Sequence, residues 1–200
     1  TEKESARKAL LPQEIAQNME SYIGQIEKIL PKDSFDVRYN SEWLAKMTLQ
    51  DVVVLTGRVT VQQMLARDMF QRRMKEEKPI FLHEFLYPLM QGYDSVALKT
   101  DGEVGGNDQT FNMLMGRELE KEVLGKEKLV FAVRLLIDTS SGKKLSKSGR
   151  GLVWLSDSSK DMYDNILNTV PDEMIKTVFE LCTGLEYDQI DDLDKRYKDN

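Results

Sequence analysis

The 200-residue sequence is 40% hydrophobic and carries a formal net charge of −6, which predicts one compact domain, or one and a half, with a real core. This acidic balance excludes a protein that binds nucleic acid over its whole surface, although it allows a local basic patch. One cysteine, one histidine and no apolar run near 20 residues exclude an internal disulfide, a zinc cluster and a membrane span, so we expect a reduced, cytoplasmic protein.

The first 82 residues are predicted to be mostly helical. Helices are expected over residues 12–30, around 42–46, from the capping-box-like pair Thr48 and Asp51 to Gly57, and over 60–75. Residues 35–40 are predicted to form a short strand or an extended segment. The methionines of the 60–75 helix can fill either a core or an interface.

Helices and strands alternate in the rest of the chain. A helix over 82–97 contains Pro88, a strand runs from Glu103 into a glycine turn, and a helix covers 108–124. The apolar run 129–137 is typical of a strand buried on both faces in a parallel sheet. A polar loop at 138–150, a short strand at 151–155, helices at 158–167 and 171–182, and an acidic tail follow. The alternation predicts an α/β fold.

The helix over 82–97 carries three polar residues on one face. Tyr87, Gln91 and Asp94 are spaced i, i+4 and i+7 among apolar neighbours, so the helix is predicted to be buried nearly all round. A buried phenol, amide and carboxylate need hydrogen-bond partners. A polar ligand could supply them.

Two further segments point to a nucleotide, and each also has a plainer explanation. The turn Gly105-Gly106-Asn107-Asp108-Gln109 follows a strand and opens a helix, which permits close backbone approach to a nucleotide. It could equally be a glycine turn with Asp108 as a helix cap. The loop Lys143–Ser148, together with Arg150, is the densest basic patch. It suits phosphate, but a solvated loop would have the same composition.

In combination, YPLMQGYD at 87–94, GGNDQTFNMLMGREL at 105–119 and KLSKS at 144–148 resemble the tyrosyl-tRNA synthetases of bacterial type. These belong to the class I aminoacyl-tRNA synthetases, and KLSKS is similar to their KMSKS signature. The resemblance extends more diffusely over most of the chain. It implies a partial Rossmann-like nucleotide-binding fold with a mostly helical connecting insertion.

The resemblance also implies roles for individual residues. Tyr87 and Gln91 would hold the amino group of the substrate tyrosine, Asp94 would accept a hydrogen bond from its phenolic hydroxyl, and Gln109 would contact its carboxylate. The residues expected to bind ATP are Gly105, Gly106, Asp108, Lys144, Leu145, Ser146, Lys147 and Ser148. Of these residues, Gln109, Lys144 and Lys147 would take part in catalysis, with Mg²⁺ arriving on ATP and no dedicated protein site for a metal.

The chain also departs from the family. Leu145 replaces the usual methionine of the lysine loop, Asn107 stands where Ser or Thr is expected, and Arg134 stands where proline is common. Nothing resembles the HIGH motif or the first β-α-β half, and His83 is expected to be a cap or a surface residue. The start of the chain resembles the family sequence immediately after that first half.

The expected organisation is a helical segment with the connecting insertion at 1–82, which would form a homodimer interface. The second half of the catalytic domain would cover 83–157, and C-terminal helices leading toward an anticodon-binding domain would cover 158–200. Two functions remain open. One is a fragment of a tyrosine-tRNA ligase that acts on tyrosine, ATP and tRNA(Tyr) but is inactive alone. The other is a non-catalytic, dimerising interaction module derived from the same fold.

Overall fold

A computed structural model describes residues 11–137 and 153–198. Two compact units are formed, one by residues 1–18 and 33–133 and the other by residues 19–32 and 134–200. The elements are the helices α1 (Pro12–Met19), α2 (Tyr22–Ile26), α3 (Ser41–Leu44), α4 (Leu49–Thr56), α5 (Val61–Leu65), α6 (Asp68–Lys75), α7 (His83–Leu98), α8 (Thr110–Leu124), α9 (Ser159–Thr169), α10 (Ile175–Cys182) and α11 (Tyr187–Lys198), and the strands β1 (Gly102–Gly106) and β2 (Leu129–Val133). Short 3-10 turns at Asn107–Gln109 and Asp172–Met174 precede α8 and α10. In this described part of the chain, no helix is both long and apolar enough to cross a bilayer.

The first unit contains a β-α-β arrangement. Strands β1 and β2 pair in parallel, in a register that runs from Gly102 opposite Leu129 to Gly106 opposite Val133, and α8 connects them. Parallel neighbours need such a crossover, and the α/β prediction is confirmed.

The predicted double burial of the 129–137 run is wrong. Strand β2 ends at Val133, and the side chains of Leu129 and Phe131 are 63% and 53% exposed. The sheet has two strands within the described residues, so its apolar side chains lack the flanking layers that a larger sheet provides.

Helices α7 and α8 pack closely because glycines lie at their contact. A Cβ atom at Gly92 would lie 2.9 Å from Leu119 Cδ1 and 3.2 Å from the backbone nitrogen of Gly116. Around this contact lies the core cluster of the unit, formed by Leu55, Met64, Leu89, Val96 and Leu119. The close packing places the polar residues of α7 beside the start of α8.

The helical region before α7 is more broken than the sequence predicts. The capping box of Thr48 and Asp51 is confirmed at the start of α4. The expected 60–75 helix is two helices, because Arg67 is extended between them (φ −66°, ψ 134°). Its guanidinium lies 4.7 Å from the ring centroid of Phe111 in α8, which is a cation–π contact.

Two more expectations for this region need correction. The expected 12–30 helix is interrupted between α1 and α2 by the turn at Glu20 and Ser21. Of the two alternatives for residues 35–40, the short strand is wrong and the extended segment stays a prediction, and Asn40 makes no side-chain cap hydrogen bond at the start of α3.

The second unit contains the C-terminal helices. Helices α9 and α10 confirm the predictions for 158–167 and 171–182, and the acidic tail forms α11. Met174 and Ile190 are buried. Residues 153–155 form no strand, and the remainder of the strand predicted at 151–155 lies outside the described residues. The divisions expected after residues 82 and 157 stay predictions.

Candidate functional site

Helix α7 is open on one side, not buried all round as its sequence predicts. Tyr87 is 57% exposed, and Met90 and Leu98 are also exposed, whereas Leu89 and Val96 are buried. The buried side packs on α4 and α8. The open side therefore leaves Tyr87 accessible to a ligand.

Asp94 is held by a tryptophan from α3. Trp43 Nε1 donates a hydrogen bond of 2.7 Å to Asp94 Oδ1, and the side chain of Asn40 also bonds this carboxylate. Burial raises the pKa of Asp94, and the nearby charge of Glu103 adds to the rise, while the bonds from Trp43 and Asn40 oppose it. Asp94 is thus a half-desolvated carboxylate whose remaining lone pairs suit a hydroxyl donor.

Gln91 and Gln109 are joined through one buried asparagine. Asn112 Nδ2 donates hydrogen bonds of 3.1 Å to Gln91 Oε1 and of 3.1 Å to Gln109 Oε1. Asn112 is 3% exposed, and its Oδ1 has no hydrogen-bond partner. The structure therefore brings together two residues that the sequence placed around the amino and carboxylate groups of one ligand.

The glycine turn joins β1 to α8. At Gly106 the backbone is extended (φ −62°, ψ 154°), and the next three residues form the 3-10 turn. A Cβ atom at Gly105 would lie 3.0 Å from Met113 Sδ, so packing against α8 also favours glycine there. Neither the 3-10 turn nor α8 has a side-chain cap at its N-terminus. Asp108 lies within the 3-10 turn, and both of its expected roles, helix cap and ribose ligand, stay predictions.

A buried ionic cluster lies next to Asp94. Lys128 is 1% exposed, and its ammonium group donates to the Glu103 carboxylate and to the hydroxyl of Ser95, the residue after Asp94. A buried lysine requires such a partner. The cluster ties α7, β1 and the start of β2 together behind Asp94.

Sequence reasoning missed four residues of this site. These residues are Asn40, Trp43, Asn112 and Lys128, and no sequence pattern gave any of them a role in binding a ligand. Asn112 carried a usable signal, because it follows Gln109 by three residues and so shares its side of the helix. The contact of Trp43 with Asp94 spans 51 residues, and no local spacing predicts it.

The remaining candidates lie elsewhere. The lysine loop, including Lys144, Leu145, Ser146, Lys147 and Ser148, falls outside the described residues. His83 is exposed and stacks on Phe81. Arg134 donates to Glu180 at 3.0 Å within the second unit.

Cys182, expected to be buried, is instead exposed at the end of α10, although partial desolvation raises the pKa of its thiol. Among the described residues, no group of three or more His, Cys, Asp or Glu side chains could hold a metal ion.

Known proteins resemble this chain along its whole length. A family model described as class I tRNA synthetases (W and Y) matches residues 1–200. The chain is 43% identical to tyrosine–tRNA ligase 2 of Clostridium acetobutylicum over 201 residues, which cover 100% of this chain and 50% of that protein. It is 44% identical to the tyrosine–tRNA ligase of Trichormus variabilis over 193 residues, which cover 95% of this chain and 48% of that protein. The chain thus spans about half the length of the curated relatives it matches.

Solved structures agree with these matches. A C-terminally truncated mitochondrial tyrosyl-tRNA synthetase of Coccidioides posadasii is similar with a TM-score of 0.60 and 25% identity, over 94% of this chain and 58% of that one. The corresponding enzyme of Aspergillus nidulans is similar in fold, with a TM-score of 0.65 and 23% identity, over 97% of this chain and 61% of that one.

Proposed function

The chain belongs to the class I tRNA synthetases of the W and Y family, and from that premise we propose that it carries the second half of the catalytic domain of a tyrosine-tRNA ligase. Its β-α-β arrangement is part of the Rossmann-like fold of this family. The observation that carries the proposal is the convergence of Asp94, Gln91 and Gln109 in one compact unit, with a buried or half-buried polar partner for each.

Asp94 favours tyrosine over the other amino acid of the family. The tyrosine hydroxyl lies at the tip of a single ring and donates from there to a carboxylate, whereas the indole N–H of tryptophan, although also a donor, lies at the side of a larger ring system. A site that bonds a hydroxyl rejects the analogue that lacks it, a rule for which tyrosyl-tRNA synthetase is itself the standard example. Phenylalanine should therefore be excluded as well.

The proposed reaction has two steps. The tyrosine carboxylate attacks the α-phosphorus of ATP, a new C–O–P linkage forms, and pyrophosphate leaves. A ribose hydroxyl at the 3′ end of tRNA(Tyr) then attacks the activated carbonyl, and AMP leaves. No protein nucleophile is required, so positioning and charge stabilisation provide the catalysis.

Each candidate residue has a place in that reaction. Tyr87 and Gln91 bind the ammonium group, and Gln109 binds the carboxylate that attacks. Gly105, Gly106 and Asp108 contact the ribose of ATP. The loop residues Lys144, Leu145, Ser146, Lys147 and Ser148 close on its phosphates, where Lys144 and Lys147 offset developing charge. Mg²⁺ would enter with ATP as a phosphate counter-ion.

The proposed assembly is a cytoplasmic homodimer that also binds tRNA(Tyr). The homodimer is supported by Leu49 and Val53, which lie four residues apart on one face of α4 and are 80% and 61% exposed. Such surface is typical of a subunit interface. Light scattering of the purified protein measures the assembly directly. None of the relatives named above is a non-catalytic module, and no observation favours that alternative.

Tyrosine-dependent exchange between ATP and pyrophosphate tests the proposal. The complete protein that contains these 200 residues should catalyse the exchange with tyrosine and not with phenylalanine or tryptophan. The isolated chain should show no exchange, since the resemblance places the HIGH segment outside it. Exchange with tryptophan as efficient as with tyrosine would contradict the assignment. Exchange by the isolated chain would contradict the expectation that part of the nucleotide-binding site comes from the HIGH segment.

A further inference from the structure

Asn112 lies between the two glutamines of the candidate site and is almost fully buried. Its Nδ2 donates to Oε1 of Gln91 and to Oε1 of Gln109, each at 3.1 Å. We infer that Asn112 is a positioning residue for amino acid activation, which fixes both glutamine amides in the orientation that an α-amino acid requires. This inference rests on the proposed function.

The chemistry of the amide groups gives the orientation. A primary amide has one acceptor end and one donor end, and Asn112 binds the acceptor end of Gln109. The donor end, Nε2, is thereby left for the substrate carboxylate, which can only accept. With the opposite orientation, Gln109 would place an oxygen against a carboxylate and repel it.

Gln91 must present the opposite end of its side-chain amide, the acceptor Oε1, to the substrate. The substrate ammonium is a donor, so Gln91 must offer it an oxygen. A carbonyl oxygen has two lone pairs, and Asn112 uses one of those on Oε1. The second remains for the ammonium. One asparagine thus sets a donor for the carboxylate and an acceptor for the ammonium.

The unpartnered oxygen of Asn112 argues against a purely structural role. Its Oδ1 is buried and has no hydrogen-bond partner among the described residues, and such groups are rare in folded proteins because their desolvation is not compensated. An apolar side chain of similar size would avoid this cost. Stability alone therefore does not favour asparagine at this position, whereas its two donors are both used.

Two substitutions separate positioning from folding. Asn112→Leu keeps the branched shape with bulkier methyl groups and removes the donors, and Asn112→Asp keeps the shape and replaces the donors with an acceptor. Asn168→Asp is the matched control, since Asn168 is an exposed asparagine of α9 whose side chain bonds only the backbone of its own helix. All are made in the complete protein and assayed by tyrosine-dependent pyrophosphate exchange, with thermal unfolding measured in parallel.

The expected result is a selective effect on tyrosine. Asn112→Leu should raise the KM for tyrosine about 10-fold to 100-fold, change the KM for ATP by less than about twofold, and leave the melting temperature equal or higher. Asn112→Asp should raise the KM for tyrosine at least as much at about pH 8, and the defect should shrink toward about pH 6. Protonation gives the introduced carboxyl a donor, and burial raises its pKa above that of an exposed aspartate.

Several outcomes would overturn the inference. An unchanged KM for tyrosine in Asn112→Leu would do so, as would equal losses for tyrosine and ATP. If neither Asn112 variant folds while Asn168→Asp does, the residue serves the fold and not the substrate. Absence of tyrosine-dependent exchange in the wild-type protein would instead overturn the proposed function, and the inference with it.

Discussion

The bond from Trp43 to Asp94 should control how well tyrosine is used. Trp43→Phe removes the Nε1 donor that lies 2.7 Å from Asp94 Oδ1 and keeps an aromatic ring in its place. Hydrogen bonds to charged groups contribute roughly 1.5–3 kcal/mol. We use the lower end, because Asp94 is only half buried and Asn40 bonds it as well. A loss of about 1.4 kcal/mol corresponds to about a tenfold lower kcat/KM for tyrosine.

The loss of this donor should also change the pH dependence. Burial already raises the pKa of Asp94, and the Trp43 bond opposes that rise, so the pKa is expected to be higher in Trp43→Phe. The ionised carboxylate is the form that accepts the phenolic hydroxyl. Activity is therefore lost as pH falls through this pKa, and in the variant the decline should begin at a higher pH.

Pyrophosphate exchange between about pH 5 and pH 8, with tyrosine and ATP varied in turn, measures both effects. Trp154→Phe is the matched control, since Trp154 is the other tryptophan of the chain and belongs to the second unit. An unchanged kcat/KM for tyrosine, or a decline that begins at the same pH as in the wild type, would refute the assigned role. An equal loss in Trp154→Phe would show that the substitution acts through general destabilisation.

Three further predictions concern the surroundings of the site. Lys128→Met should lower the free energy of unfolding by roughly 2–4 kcal/mol in urea titrations, below the range for fully buried pairs because Glu103 is one quarter exposed. Adding Glu103→Gln should recover part of that loss. Gly116→Ala should lower the free energy of unfolding by about 1–3 kcal/mol, since a Cβ atom would lie 2.6 Å from Lys128 Nζ. Gly24→Ala is the control and should be neutral or stabilising, because a Cβ atom there would have no described atom within 4 Å. Asp94→Asn should become more stable relative to the wild type as pH rises above 3.8, the ordinary aspartate pKa, because ionising this buried carboxyl then costs stability only in the wild type. Thermal unfolding across that range is the check, and a parallel pH dependence of the two proteins would contradict it.

Local patterns in the sequence predicted the elements that local forces determine. The capping box at Thr48 is a three-residue interaction, and the strand–turn–helix after Glu103 follows from glycine and apolar spacing, so both were predictable. The extended backbone at Arg67, whose guanidinium lies over Phe111, 44 residues later in the chain, was not predicted by the spacing within residues 60–75. The prediction that β2 is buried on both faces was wrong for a related reason. An apolar run shows what a strand can bury, but not which layers are present to cover it.

The candidate site shows the same contrast between local spacing, which is predictable, and long-range contacts, which are not. Tyr87, Gln91 and Asp94 were predictable as one face because α7 has a fixed period. Their partners come from other elements, α3 and α8, and no spacing within α7 specifies them. Asn112 could be anticipated only as a polar neighbour of Gln109, whereas its bond to Gln91 required the close packing of α7 on α8 at Gly92 and Gly116.

The arrangement around Asp94 explains how one carboxylate can select a hydroxyl without being neutralised. A half-buried carboxylate tends to protonate, and a second negative charge on Glu103 would strengthen that tendency. Lys128 compensates Glu103 from a buried position, while Trp43 supplies a donor to Asp94 that carries no charge. A cation bonded directly to Asp94 would neutralise its charge and so weaken the carboxylate as an acceptor for a phenol, even though lone pairs would remain. An indole N–H stabilises the ionised form without adding a charge, so under the proposed function Trp43 and the neighbouring Lys128–Glu103 pair both favour recognition of tyrosine by its hydroxyl.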